Sequence, residues 1–265
     1  MVRHTYRGDA YGLMISYFVR MQTRRTMSQT RAVLYLAGLL VALWGIGGSP
    51  TGSAPIAPQA TIELPDDDPH FRIAAVKYGG GGDWYQAHTP LPEFLSFVHA
   101  HTSIDVSAEG DVVEIEQDRL YTYPFLVMSG HGNIELSERE VERLRHYLET
   151  GGFLFIDDDY GFDPYVRREM EKVFPEQDFV EIPYDHPIYN HPYDFSDGPP
   201  KVHEHDGKPP QGFGLFHEDR LVVYYLYESN ITDGWEPPSV HDNPPDVRRT
   251  AKEMGVNILT YALTH

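Results

Sequence analysis

The chain has 265 residues, a formal net charge of −19 at pH 7 and no cysteine, which excludes a disulfide framework, a thiol nucleophile and a cysteine-ligated metal. Six arginines and one aspartate lie in residues 1–62, whereas the rest carries 15 basic and 39 acidic residues, a formal net charge of −24. Because such a surface repels phosphate backbones, the composition excludes nucleic acid as a partner.

The N-terminal 62 residues predict an export segment. Residues 32–62 contain no charged side chain, the apolar core is Ala32–Ile46, Arg24, Arg25 and Arg31 precede it, and small residues follow. This order of basic, apolar and small-residue regions is that of a secretory signal. The apolar core is shorter than the roughly 20 residues of a full transmembrane helix. We therefore expect residues 1–62 to be a signal peptide or an N-terminal membrane anchor with a linker, and the rest to be exported to the periplasmic or extracellular side.

The remaining chain alternates predicted strands and helices. Apolar runs rich in β-forming residues predict strands at Phe71–Tyr78, Ile104–Val106, Val112–Ile115, Phe125–Ser129, Phe153–Ile156, Phe179–Ile182, Phe213–His217 and Leu221–Tyr227. Helical spacing predicts helices at Pro92–His101, from the capping box of Ser137 and Glu140 to Gly151, from an N-cap at Asp163 to Phe174, and from Val247 to Ala262. The alternation predicts one α/β domain, residues 66–265, with a three-layer, mainly parallel sheet, helices on both faces, and a C-terminal hairpin and helix.

Three predicted loops follow the carboxyl ends of strands, where open parallel sheets bind ligands. They are Gly79–Trp84, Ser129–Asn133 and Asp157–Asp163. A fourth segment, Pro183–Gln211, is long, rich in His, Pro and Tyr and without periodicity, which is typical of a functional or mobile loop. The candidate ligand-binding residues are Gly80, Gly81, Asp83, Trp84, His131, Asn133, Asp157, Asp158 and His186.

Several chemistries fit these residues to different degrees. The glycine loop lacks the spacing of a phosphate-binding motif, and Ser129 and His131 lie too close in sequence for triad geometry. Three successive aspartates with His131 could hold a divalent cation, and His186, His191, His203 and His205 could add ligands. Paired acids near Trp84 could bind or hydrolyse glycans. The sequence assigns no cofactor, no metal and no catalytic residue.

Four segments carry a family resemblance: FRIAAVKYGGGGDW at Phe71–Trp84, YPFLVMSGHGNIELSEREVERLRHYLETGGFLFIDDDYG at Tyr123–Gly161, HPIY at His186–Tyr189 and GVNILTYAL at Gly255–Leu263. All four resemble the bacterial domain-of-unknown-function family 4159. The resemblance implies a class I glutamine amidotransferase-like, flavodoxin-type fold and a cell-envelope role, but no established activity. Amidotransferases carry a cysteine on the turn after a central strand. Gly130-His131-Gly132 occupies that turn here, so glutamine hydrolysis by that route is excluded.

These observations predict an exported cell-envelope domain that binds a small ligand or a partner protein at the loops following the strands. The alternative is a hydrolase that uses Asp157 or Asp158 with His131, with or without a metal. Only five lysines are present, and an acid-rich, lysine-poor surface suits concentrated salt. A halophilic source is therefore one hypothesis, and an ordinary acidic protein is the other.

Overall fold

The computed structural model of the protein describes residues 71–265. The predicted signal peptide or anchor at residues 1–62 lies outside the described residues. Within residues 71–265, none of the helices combines the length and apolar character needed to span a membrane.

Seven strands and seven α-helices make up the described chain. The strands are β1 (Ile73–Lys77), β2 (Asp111–Glu114), β3 (Phe125–Met128), β4 (Phe153–Asp157), β5 (Val180–Glu181), β6 (Gln211–His217) and β7 (Arg220–Tyr227). The helices are α1 (Leu91–His101), α2 (Glu138–Glu149), α3 (Asp163–Val173), α4 (Pro187–Asn190), α5 (Ile231–Trp235), α6 (Pro238–His241) and α7 (Pro245–Thr264), and 3-10 helices lie at Trp84–Ala87 and Asp118–Thr122.

All seven strands form one sheet in the order β2-β1-β3-β4-β7-β6-β5. The first five strands of this order pair in parallel, and β6 and β5 add antiparallel pairs on one side. The chain therefore has the α/β class and mostly parallel sheet that the sequence predicts. Both edge strands are short, since β2 has four residues and β5 has two.

Successive side chains of the central strands enter two separate apolar clusters, as the two-residue period of a strand requires. Ile73 and Ala75 of β1 join a cluster with residues of α1, α5 and α7, whereas Ala74 and Val76 join a cluster with residues of α2 and α3. The same alternation holds along β3 and β4. Burial of both kinds of side chain explains why β3 and β4 read as uninterrupted apolar runs.

Local signals explain where several helices begin and end. Ser137 accepts a hydrogen bond from the backbone N–H of Glu140, whose side chain accepts one from the backbone N–H of Ser137, so the predicted capping box is present. Helix α3 begins at Asp163, but its N-cap is Phe162, which corrects the predicted N-cap at Asp163. Its first turn carries Pro164, whose missing N–H costs nothing at this position.

Two further predictions about elements are wrong. Ile104–Val106 is not a strand, because only Val106 forms an isolated bridge, to Phe71. The predicted loop Pro183–Gln211 contains the short helix α4. The largest difference concerns β7, which pairs with β6 as predicted but also pairs in parallel with β4. This second pairing makes β7 an interior strand of the sheet and places the loop after it beside the three predicted loops.

Candidate functional site

Four loops meet at the carboxyl edge of the parallel strands. The loops follow β1, β3, β4 and β7, which are neighbours in that order and run in the same direction. Each loop brings polar side chains to the same edge. This is where open α/β sheets bind their ligands.

His131 lies between two carboxyl groups from different loops. Its Nδ1 is 3.0 Å from Asp83 Oδ2, and its Nε2 is 3.0 Å from Asp159 Oδ1. The backbone N–H of His131 also donates to Asp83 Oδ1. Since a neutral imidazole donates from only one nitrogen, both contacts are hydrogen bonds only when the ring carries two protons or Asp159 holds one. The row Asp83–His131–Asp159 can therefore store and move a proton.

Asp157, the last residue of β4, is fully buried behind this row. Its Oδ2 accepts hydrogen bonds from the backbone N–H of Thr232, at 2.6 Å, and from the Thr232 hydroxyl, at 2.7 Å. Its Oδ1 has no hydrogen-bond partner among the described residues. These contacts attach the end of β4 to the start of α5.

Asp158 and Asp159 share a buried histidine from the long loop. The side chain of His205 is 7% exposed, with Nδ1 3.9 Å from Asp158 Oδ2 and Nε2 3.7 Å from Asp159 Oδ1. The backbone N–H of Glu228 donates to Asp158 Oδ2 at 3.2 Å. The long loop thus lies across the ends of β4 and β7.

Asp233 of α5 is the centre of a second histidine cluster. Its Oδ2 lies 2.6 Å from His203 Nδ1, and its Oδ1 lies 3.3 Å from His241 Nε2. Asn230 Nδ2 donates to Asp233 Oδ2 at 2.8 Å and to Asp159 Oδ1 at 3.1 Å. Asn230 therefore joins the two clusters into one polar network.

The network surrounds a cavity of about 390 Å³. The residues that line it are Gln86, His131, Asp159, Tyr160, His203, Glu204, His205, Asp233 and His241. Four of the nine are histidines and three are acids. A concave site of this size and polarity fits a small polar ligand.

Burial and neighbouring charges shift the pKa values of the carboxyl groups in opposite directions. Burial raises the pKa of Asp157 to about 8, although hydrogen bonds from Thr232 act against it. Burial and the nearby charge of Asp233 raise the pKa of Asp159. Burial also acts to raise the pKa of Asp83, but hydrogen bonds from the backbone and ring of His131 outweigh it, and the net shift is downward. The surroundings therefore favour the protonated form of Asp159 and the ionised form of Asp83.

The histidine pKa values also respond to these acids. The hydrogen bond to Asp233 raises the pKa of His203. Burial acts to lower the pKa of His205, but the nearby carboxylates of Asp158 and Asp159 outweigh it and raise the pKa. The neighbouring carboxylates therefore favour the charged form of both rings.

The structure brings some of the predicted site residues together and separates others. Asp83 and His131 are in contact, and Asp157 and Asp158 lie behind the cavity wall. Asn133 joins two loops, since its Nδ2 donates to the Gly80 carbonyl at 3.1 Å.

The remaining three predicted site residues, Gly81, Trp84 and His186, do not line the cavity. Gly81 follows Gly80 in the loop after β1, with a positive φ of 88°. Lys77 Nζ lies 5.8 Å from the centre of the Trp84 ring. His186 caps α4 and packs against Tyr261 of α7, with ring centres 5.1 Å apart, and does not line the cavity.

Sequence reasoning missed the residues that come from the loop after β7 and from the short helices. The sequence analysis does not predict Asp233 or His241, and it includes His203 and His205 only as further histidines of the long loop. The signal that could have found Asp233 is an apolar strand followed directly by the polar run Glu228–Asn230. At Asp157, too, an apolar strand is followed directly by polar residues.

Fold and cavity together define an α/β protein with a histidine- and carboxylate-lined site at the carboxyl edge of its sheet. The chain belongs to the family described as Domain of unknown function (DUF4159), whose family model matches residues 72–263. This match confirms the family that the sequence resembles. None of the curated proteins matches the chain.

Proposed function

We propose that this protein is an exported cell-envelope domain that binds a small polar ligand in the cavity formed by the loops after β1, β3, β4 and β7. The observation that carries the proposal is the convergence of Asp159, Asp233 and four histidines on one concave site of about 390 Å³. Buried polar groups that converge on a cavity recognise a ligand by hydrogen bonds. The basic, apolar and small-residue regions of residues 1–62 support export.

We further propose that the fold is the three-layer, class I glutamine amidotransferase-like, flavodoxin-type fold. The order β2-β1-β3-β4-β7 supports this proposal, because flavodoxin-like sheets share this arrangement when β7 counts as the fifth parallel strand. In such a sheet the ligand crevice lies between β1 and β3, where the order reverses. Asp83 follows β1 and His131 follows β3, so their contact lies at this point.

A thermal-shift screen of small saccharides and peptides, followed by calorimetric titration of the hits, tests ligand binding. A ligand at about 100 times its Kd stabilises the native state by about 2.7 kcal/mol. For a domain of this size we expect the unfolding midpoint to rise by about 5–10 °C.

Asp159→Asn tests whether the ligand occupies this cavity, and Asp118→Asn is the matched control because the Asp118 side chain is 99% exposed. We expect the ligand-induced shift to be lost in Asp159→Asn and retained in Asp118→Asn. A shift of equal size in both variants would place the ligand elsewhere. The absence of any shift in the wild-type protein would remove the proposed function.

A second candidate function is hydrolysis, favoured by the position of His131 between Asp83 and Asp159. This arrangement can transfer a proton to or from a ligand in the cavity. Asp157 and Asp158 lie behind the cavity wall, so Asp159 is the acid that reaches a ligand beside His131. Chromatography measures the rate at which a bound ligand is hydrolysed. We expect this rate to fall at least about 100-fold in His131→Gln. Binding without turnover in the wild-type protein would exclude this candidate.

A further inference from the structure

His203, Asp233 and His241 lie together on one wall of the cavity. One ligand atom from each residue can be chosen so that all three lie within 4.8 Å of one another. In the Asp233 carboxylate, Oδ2 lies 2.6 Å from His203 Nδ1 and Oδ1 lies 3.3 Å from His241 Nε2. Ligand atoms around a tetrahedral zinc ion are about 3.3–3.5 Å apart. Small side-chain rotations would therefore bring all three atoms to bonding distance.

Neighbouring groups hold these side chains in place, as second-sphere groups do at metal sites. Asn243 Oδ1 is 3.3 Å from His203 Nε2, which leaves His203 Nδ1 to face the Asp233 carboxylate. Asn243 Nδ2 also donates to the backbone carbonyl of Asp233 at 3.4 Å, and Asn230 fixes the carboxylate itself. The His203 and His241 rings pack edge to face, with centres 5.2 Å apart.

Charge in the cavity favours a cation at this position. Asp159, Glu204 and Asp233 all line the cavity, and Asn230 joins Asp159 directly to Asp233. Carboxylates gathered in a partly buried site repel one another unless protons or a cation neutralise them. A divalent ion between Asp233 and the two histidines would supply that charge.

We propose that His203, Asp233 and His241 bind one divalent transition-metal ion, most suitably Zn²⁺, with an open coordination position that faces the cavity. Two imidazole nitrogens and one carboxylate suit zinc, whereas calcium and magnesium prefer oxygen ligands. Three protein ligands leave the fourth tetrahedral position for a water molecule or a ligand oxygen. The binding of a ligand oxygen at the fourth position rests on the proposed function. The ligand would then carry an oxygen donor such as a carboxylate or phosphate.

Calorimetric titration of the EDTA-treated, dialysed full chain with ZnCl₂ tests the site. We expect one equivalent to bind to the wild-type protein, and at least a 100-fold loss of affinity in His241→Ala. The His241 side chain is 29% exposed on a four-residue helix that buries none of its residues, so this variant should fold. His99→Ala is the matched control, because His99 is exposed on α1, and its Zn²⁺ affinity should equal that of the wild-type protein.

Two further measurements make the result specific. Co²⁺ substituted for Zn²⁺ should give the visible absorption bands of a four-coordinate site, and these should vanish in His241→Ala. Asn243→Ala, which changes a positioning residue, should weaken Zn²⁺ binding about 10–100-fold without abolishing it. Equal Zn²⁺ binding in His241→Ala and His99→Ala, or no stoichiometric binding to the wild-type protein, would overturn the proposed metal site.

The two proposals fail separately. Zn²⁺ binding that depends on His241, without stabilisation by any ligand, would leave the metal site in place and remove the ligand-binding function. Ligand stabilisation that persists in EDTA, without Zn²⁺ uptake, would support the ligand-binding function and overturn the metal site.

Discussion

At the scale of single residues, the cavity depends on carboxyl groups whose surroundings differ. Asp157 is fully buried, with one oxygen bound by Thr232 and the other without a hydrogen-bond partner among residues 71–265. Burial, with the charges of Asp233 and Asp159 nearby, raises its pKa from 3.8 to about 8. The folded protein therefore holds a proton on Asp157 at pH values where the unfolded chain has lost it.

This proton makes stability fall as pH rises between about 4 and about 8, because the folded state binds more protons than the unfolded state in this window. The contribution is complete below the unfolded-state pKa and is lost progressively up to the folded-state pKa. Its slope is about 1.4 kcal/mol per pH unit at most. Asp157→Asn places a neutral amide where the protonated acid lies, and Thr232 can still donate to its oxygen. We expect this variant to gain stability relative to the wild-type protein as pH rises.

Urea unfolding in EDTA, at several pH values across this window, measures the effect. Asp118→Asn is the exposed control and should follow the wild-type profile. Parallel profiles for Asp157→Asn and the wild-type protein would show that Asp157 is ionised in the folded state.

The sequence could predict some of the site residues and not others, for a geometric reason. Asp83 and His131 follow strands directly, so the rule for parallel sheets was sufficient to propose them. Among the three successive aspartates, the sequence does not specify which one reaches the cavity. Strand β4 continues through Asp157, which is buried against Thr232, and the chain then turns so that Asp159 contacts His131.

At the scale of elements, the packing of α7 predicts the effect of a substitution on stability, and helix propensity alone would predict the opposite effect. Gly255 lies in the middle of α7, where alanine is favoured by about 1 kcal/mol. A Cβ at this position would be 2.6 Å from ring carbons of both Phe94 and Trp235. These two rings are stacked with centres 4.0 Å apart and are fully buried, so neither can move away.

We therefore expect Gly255→Ala to destabilise the protein by a net amount of about 1–2 kcal/mol, because the strain of overpacking exceeds the gain in helix propensity. Ser96→Ala on the exposed face of α1 is the control for propensity alone and should be neutral or slightly stabilising. Chemical denaturation of the two variants and the wild-type protein measures both effects. A stabilised Gly255→Ala would mean that the Phe94–Trp235 stack moves aside readily.

Elements that carry their own signals were predicted well, and elements defined by distant pairing were not. Strands β3 and β4 are uninterrupted apolar runs, and α2 has a capping box, so local sequence was sufficient. The polar pair Glu218 and Asp219 between two apolar runs indicates the β6–β7 pairing. The second pairing, of β7 with β4, joins segments far apart in sequence and leaves no local pattern. Helices α5 and α6 are too short to show helical periodicity, so the cluster around Asp233 could not be predicted.

At the scale of the whole molecule, the formal net charge of −24 in residues 63–265 predicts a dependence of stability on salt. Like charges on a folded surface repel one another, and the Debye length falls from about 10 Å at about 0.1 M salt to about 3 Å at about 1 M. If the surface is adapted to concentrated salt, the unfolding midpoint of the protein should rise with KCl over this range. A midpoint that does not rise with KCl would count against adaptation to concentrated salt. Differential scanning calorimetry at several KCl concentrations measures the dependence.

The short strands at both edges of the sheet affect how the protein behaves when many copies are crowded together. In concentrated salt, repulsion between molecules is screened and no longer keeps them apart. Unpaired backbone groups along a long, flat edge would then recruit strands from neighbouring molecules and start aggregates. Here β5 offers only two residues and β2 only four. The sheet itself therefore limits intermolecular strand pairing under conditions where charge no longer can.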